Sequence, residues 1–104
     1  MSISNRFRDI SRDVAGFRKK LQGNEALEPG ARLVKKASKG LQEWNEQVGE
    51  IPRMRLEAEL TPVLLKAHDT LDRARLIFEE ADSADQASAT WDLQQKIYRL
   101  LNDL

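Results

Sequence analysis

Apolar residues recur every three or four positions along most of the chain. Between residues 3 and 21 they are separated by 4, 3, 4, 3 and 4 positions, a spacing that puts them on one narrow line of an α-helix. A serine at position 2 or 4 can cap the start, and Gly23 can take the left-handed conformation that ends a helix. The pattern predicts helix 1 over residues 4–22, in which Gly16 marks the close approach of another helix.

The same spacing returns after a loop that is rich in glycine and proline. From Leu33 to Ile51 the apolar residues again step by three and four. Gly49 and Pro52 bracket the end of this segment, because proline cannot continue the helical hydrogen-bond ladder and pushes its predecessor out of helical geometry. The pattern predicts helix 2 over residues 30–49.

Residues 53–60 alternate between polar and apolar side chains, which is a strand pattern, but the residue types favour a helix. We interpret them as a short helical or extended connector. Thr61 can cap a helix, and Pro62 suits the first helical position because the amide missing there would have no partner anyway. Helix 3 is therefore predicted over residues 62–81, with a break or kink at Pro62.

Asp82 and Ser83 supply a cap for helix 4, predicted over residues 84–103. Its apolar side chains cover about 180° of the helix circumference, which one neighbouring helix cannot bury. They are Ala87, Trp91, Leu93, Ile97, Tyr98, Leu100, Leu101 and Leu104. Helix 4 is therefore either wedged between two helices or shares part of this surface with another molecule.

Four amphipathic helices with short connections favour an all-α fold, an antiparallel four-helix bundle, because narrow apolar faces are best buried in that way. The chain has 104 residues and no linker, so we expect residues 1–104 to form a single helical domain. The alternative is a three-helix core with the fourth helix appended.

The composition argues against a membrane-spanning protein and against one that depends on cysteine chemistry. Hydrophobic residues make up 40% and charged residues 33%, and no apolar run approaches the roughly 20 residues of a membrane span. The chain has no cysteine, which excludes disulfides and thiolate chemistry. We expect a soluble, cytoplasmic protein without a membrane span.

The net charge is zero, but the charges are unevenly distributed. Residues 1–40 hold ten Lys/Arg and four Asp/Glu, a net of +6, and residues 41–104 hold seven and thirteen, a net of −6. The two halves can attract each other within the fold, or the basic half can meet an acidic partner or nucleic acid. The candidate basic patch consists of Arg12, Lys19, Lys20, Lys35, Lys36 and Lys39.

Residues that carry enzyme chemistry are scarce. His68 is the single histidine, followed by Asp69 and, one turn later, by Asp72. Phosphotransfer at His68 is one alternative function. His68 and Asp72 are spaced to share a helix face, but two ligands do not fill a metal coordination sphere. The sequence also contains neither a phosphate-binding loop nor a nucleophile with its base. We therefore predict no catalytic residue, no metal, no cofactor and no enzyme activity.

The pattern is typical of a helical protein that binds another protein or a second copy of itself, as an adaptor, regulator or structural subunit. Tryptophan and tyrosine are frequent among interface residues that carry most of the binding energy. The candidate partner-binding residues are Trp91, Tyr98, Leu101 and Trp44. A helical domain that binds nucleic acid through the basic N-terminal half is the alternative that we favour less.

Overall fold

The computed structural model describes residues 2–104. Its four helices are α1 (Ile3–Leu21), α2 (Glu28–Gln42), α3 (Leu56–Glu80) and α4 (Ala84–Asp103), with short 3-10 turns at Glu25–Leu27, Gln47–Glu50 and Arg53–Arg55. Both α2 and α4 pack against α1 on one side and α3 on the other, so α1 and α3 lie diagonally across the bundle. The prediction of an all-α, antiparallel four-helix bundle is confirmed, in a molecule of 43 × 22 × 20 Å.

All four helices contribute to one hydrophobic core. Its largest fully buried side chains include Phe7 from α1, Leu41 at the end of α2, Phe78 from α3 and Ile97 from α4. The ring of Phe17 meets that of Phe78 edge-on, with 6.3 Å between the ring centroids. Burial of each such side chain stabilises the folded state by about 1.5–3 kcal/mol, which makes this cluster the main source of stability.

The start and end of α1 follow the prediction. The Ser2 hydroxyl accepts a hydrogen bond from the Asn5 amide at 3.1 Å, and Gly23 follows the helix with a φ of 83°. The interpretation of Gly16 was wrong, because no atom lies within 4 Å of the Cβ position there. The close approach is at Gly30, which is helical and packs against the ring of Phe78.

Helix α2 is shorter than predicted, since it ends at Gln42 and not at residue 49. The amides of Trp44 and Asn45 bond to carbonyls three residues back, each at 3.1 Å, so the chain winds more tightly than an α-helix. The Arg8 side chain donates to the Asn45 carbonyl at 2.9 Å and satisfies a group that a continuing helix would use. Trp44 therefore lies just beyond α2.

The predicted start of α3 at Pro62 was wrong. The helix begins at Leu56 and runs through Pro62 without ending, so the connector is a 3-10 turn followed by the first turns of α3. Proline inside a helix removes one hydrogen bond and costs about 3 kcal/mol. Complete burial of Leu60, together with an Arg55–Glu59 ion pair at 2.7 Å, favours the longer helix and offsets that cost.

A short turn joins α3 to α4, the last two helices of the bundle. Asp82 adopts a left-handed φ of 57°, and the Ser83 amide bonds to the Phe78 carbonyl at 2.8 Å, a geometry that usually has glycine in place of Asp82. Ser83 occupies the cap position of α4, as predicted, but its side chain makes no capping hydrogen bond. The predicted bounds of α4 are confirmed.

Candidate functional site

The outer side of the α3–α4 hairpin carries most of the large hydrophobic side chains that the bundle leaves exposed. Leu65 is 46% exposed and Leu76 is 45% exposed on α3, while Trp91 is 48% and Tyr98 54% exposed on α4. Leu101 is half-buried on the same side of α4. We call these five residues the α3/α4 face.

A hydrogen bond between α3 and α4 shows the register in which the two helices pack. Gln94 Nε2 donates to Asp72 Oδ1 at 3.1 Å. Successive residues of a helix are 100° apart around its axis. On α3, Leu65 and Leu76 therefore project within about 40° of Asp72, on the side away from the core. On α4, Trp91 and Tyr98 project within about 60° of Gln94, also on the side away from the core.

Because the helices are antiparallel, this register forms two apolar pairs. Leu76 and Trp91 lie together toward the α3–α4 turn, and Leu65 and Tyr98 lie together toward the chain termini. About 10 Å separates Trp91 from Tyr98 along α4, since they are seven residues apart. The α3/α4 face therefore has two apolar ends and a polar centre.

The polar centre is held by charged hydrogen bonds. Arg75 donates to Asp72 Oδ1 at 2.8 Å and to Glu79 Oε1 at 2.7 Å. The hydrogen bond from Arg75, followed by that from Gln94, lowers the pKa of the Asp72 carboxyl below its usual value. Asp72 therefore carries a negative charge at neutral pH, between the two apolar pairs.

The groove between α2 and α3 is the second notable surface, on the opposite flank of α3. It has a volume of about 580 Å³, and the half-buried Trp44 is one of its lining residues. Its other lining residues include the small side chains Ala37, Ala67 and Thr70, the carboxylate of Glu43, and the cations Arg32, Lys35, Lys36, Lys39 and Lys66. We call this depression the basic groove.

The candidate partner-binding residues thus fall on two surfaces. Trp91, Tyr98 and Leu101 share the α3/α4 face, whereas Trp44 belongs to the basic groove. Sequence reasoning missed Leu65 and Leu76. The sequence does contain a signal for them, because both are large apolar residues that lie off the apolar line of α3 and so are predicted to be exposed.

The candidate basic patch is also divided. Lys35, Lys36 and Lys39 line the basic groove, whereas Lys19 and Lys20 are exposed at the end of α1. Arg12 lies on α1, diagonal to α3, and pairs with Asp9 at 2.6 Å. Lys66 was missed because it belongs to the acidic half of the sequence.

Two ion pairs join the two halves of the sequence. Arg6 bonds to Asp103 at 2.7 Å, and Lys96 bonds to Asp13 at 2.8 Å, which ties α1 to α4. The cations of the basic groove take no part in these contacts. Of these two pairs, Arg6–Asp103 alone joins a cation of the basic half to a carboxylate of the acidic half, so they give little support to a general attraction between the halves.

His68 lies on α3, with its side chain 29% exposed and Nδ1 3.8 Å from Asp69 Oδ1. That distance is too long for a hydrogen bond. In the part of the chain that the structure describes, no three histidine or acidic side chains are close enough together to hold a metal ion. Phosphotransfer at His68 stays a prediction.

No helix within residues 2–104 is long and apolar enough to cross a membrane. Comparison of the chain with protein-family models, with curated proteins and with solved structures gives no match. Any functional proposal therefore has to come from the geometry of the α3/α4 face and the basic groove.

Proposed function

We propose that this protein is a non-enzymatic helical interaction module that assembles with a second copy of itself through the α3/α4 face. The observation that supports this proposal is the exposure of Leu65, Leu76, Trp91 and Tyr98 around one fixed seam, on a bundle whose core is otherwise filled. Single exposed hydrophobic residues are normal, but a group of large ones on one surface marks an interaction site.

The residue types favour protein contact over a merely tolerated exposure. Tryptophan and tyrosine bring a large rigid surface with few rotatable bonds, so ordering them in an interface costs little entropy. Trp91 and Tyr98 project from the same helix, which positions both rings before any partner binds. The half-buried Leu101 adds apolar surface beside Tyr98.

A second copy fits because the two apolar ends of the face are complementary to each other. A two-fold axis in the plane of the face, perpendicular to the helices, places the Leu76/Trp91 pair of one copy opposite the Leu65/Tyr98 pair of the other. This is the isologous arrangement of most homodimers. Each half-exposed aromatic ring offers about 100 Å², so the interface is small and we expect a Kd on the order of 100 µM.

Sedimentation velocity tests the proposal. The wild-type protein should shift from monomer to dimer as its concentration rises to about 1 mM, which is about tenfold above the expected Kd. The double variant Trp91→Ala/Tyr98→Ala should remain monomeric because it loses one aromatic anchor from each apolar pair.

Met54→Ala is the matched control, since Met54 is 96% exposed and lies outside the α3/α4 face. It should dimerise like the wild type. A wild-type chain that stays monomeric throughout, or a double variant that dimerises equally well, would show that this face does not join two copies.

A further inference from the structure

The basic groove is a second binding site that the proposed self-association leaves free, because it lies on the other flank of α3. We propose that it binds an acidic amphipathic helix of another protein, with the apolar side chains of that helix on the groove floor and its carboxylates on the lysine rim. Helices commonly recognise one another in this helix-in-groove mode.

The shape of the groove suits a helix. Its floor is formed by the small buried side chains of Ala37, Ala67 and Thr70, which leave a depression between α2 and α3. The groove extends from Arg32 on α2 to Trp44 just beyond the end of that helix, about 18 Å at the helical rise of 1.5 Å per residue. Three turns of a partner helix span that length.

The Glu43 carboxylate also lines the groove, but in the described part of the chain the lysines of the rim form no ion pair. Among residues 2–104, no carboxylate oxygen lies within 4.0 Å of the ammonium groups of Lys35, Lys36, Lys39 or Lys66, whereas Arg32 pairs with Glu28 at 2.8 Å. Lys35 and Lys39 are four residues apart on one helix, a spacing at which like charges destabilise the helix. An acidic ligand would relieve this repulsion.

Gly40 is a further feature of this groove. It lies in α2 and lines the groove, and no atom lies within 4 Å of its Cβ position. No close contact with another of the residues 2–104 therefore requires a glycine here. The missing side chain leaves room at the rim for a partner helix to approach closely.

An acidic polypeptide explains the groove better than nucleic acid does. Phosphates would use the cations but leave the apolar floor, with Val63 and Trp44, without a matching group. Amphipathic acidic helices supply both carboxylates and apolar side chains at the same spacing as the rim and the floor. Binding of nucleic acid is therefore the alternative outcome of the test.

The chain offers a specific reporter, because its two tryptophans lie on the two different surfaces. In a Trp91→Phe variant, Trp44 is the sole indole and reports on the basic groove. The probe is a synthetic amphipathic helix of leucine and glutamate, about 16 residues long. Three other ligands serve as comparisons. They are the same peptide with lysine in place of glutamate, a single-stranded DNA oligonucleotide and a duplex DNA oligonucleotide.

The acidic peptide should shift the Trp44 emission to shorter wavelength, and the lysine peptide should not. Lys36→Glu/Lys39→Glu should weaken binding of the acidic peptide at least 10-fold, and Gly40→Leu should weaken it by blocking the rim. Lys19→Glu/Lys20→Glu is the matched charge control outside the groove. Its affinity for the acidic peptide should stay within about 3-fold of that of the parent, because physiological salt screens charges at that distance.

Three results would overturn this inference: no emission change with the acidic peptide, equal binding by the groove variants and the parent, or tighter binding of either DNA than of the peptide. Trp91→Ala/Tyr98→Ala should bind the peptide normally, because it alters only the α3/α4 face. This inference and the proposed self-association can therefore fail independently.

Discussion

The ring of Phe78 fills the space that a side chain at Gly30 would need. A Cβ atom at Gly30 would lie no more than 2.9 Å from three atoms of that ring, so the Phe78 ring of α3 packs directly on the backbone of α2 here. Gly30→Ala should therefore force the ring out of its packed position and lower the free energy of unfolding by about 2 kcal/mol. Urea denaturation measures this loss.

Gly40→Ala is the control for this substitution, since the same added methyl group meets open space at Gly40. There it should raise the free energy of unfolding by about 0.5–1 kcal/mol, because alanine is the better helix former. Equal effects of the two substitutions would mean that Phe78 does not constrain the packing of α2 on α3.

Asp82 holds a conformation that suits glycine better. With its φ of 57°, Asp82→Gly should raise the free energy of unfolding by about 1 kcal/mol, and Asp82→Ala should lower it. Thermal or urea unfolding of the three proteins should rank them Gly, Asp, Ala from most to least stable. An alanine variant as stable as the glycine variant would contradict the left-handed turn.

Pro62 distinguishes the two possible starts of α3. Because α3 begins at Leu56, Pro62→Ala should restore an internal hydrogen bond and raise the free energy of unfolding by up to about 3 kcal/mol. If the helix began at Pro62, alanine there would have little effect, since proline is favoured at the first helical position. Urea denaturation separates the two outcomes.

Asp72 should make stability depend on pH in the acid range. Its carboxyl pKa is lowered in the folded state, first by the hydrogen bond from Arg75 and then by that from Gln94. The stability that this carboxylate adds is therefore complete above its unfolded pKa of about 3.9 and is lost as the pH falls through the lower folded value.

Asp72→Asn should flatten the fall in the free energy of unfolding between about pH 5 and pH 2, compared with the wild type. Arg75→Gln removes the principal donor and should flatten the same part of the curve. Unfolding by urea at a series of pH values tests this, and parallel curves for the three proteins would rule out a stabilising role for the Asp72 hydrogen bonds.

Much of the fold follows from local patterns that the sequence displays. The regular apolar line of α1, the wide apolar surface of α4 and the Asp82-Ser83 turn each depend on neighbouring residues, and all three gave correct helices. Pro62 misled because its local preference for a helix start is outweighed by the burial of Leu60, a tertiary effect that no local pattern contains.

The candidate surfaces were only partly predictable for a similar reason. Trp91 and Tyr98 belong to an apolar arc that is too wide to bury, and the arc is visible in the sequence. Leu65 joins them only because α3 and α4 pack in the register that places Asp72 opposite Gln94, which is a tertiary contact. Lys66 joins the lysines of α2 only because α2 and α3 pack side by side.

The emission of Trp91 tests the central claim about the α3/α4 face most directly. In a Trp44→Phe variant Trp91 is the sole indole, and it is half-exposed in the single chain. Its emission should move to shorter wavelength as the protein concentration rises toward about 1 mM, because a second copy removes the ring from water. In a Leu65→Glu/Leu76→Glu variant of the same protein the emission should stay constant. An emission maximum of Trp91 that is the same at all concentrations would contradict self-association through this face.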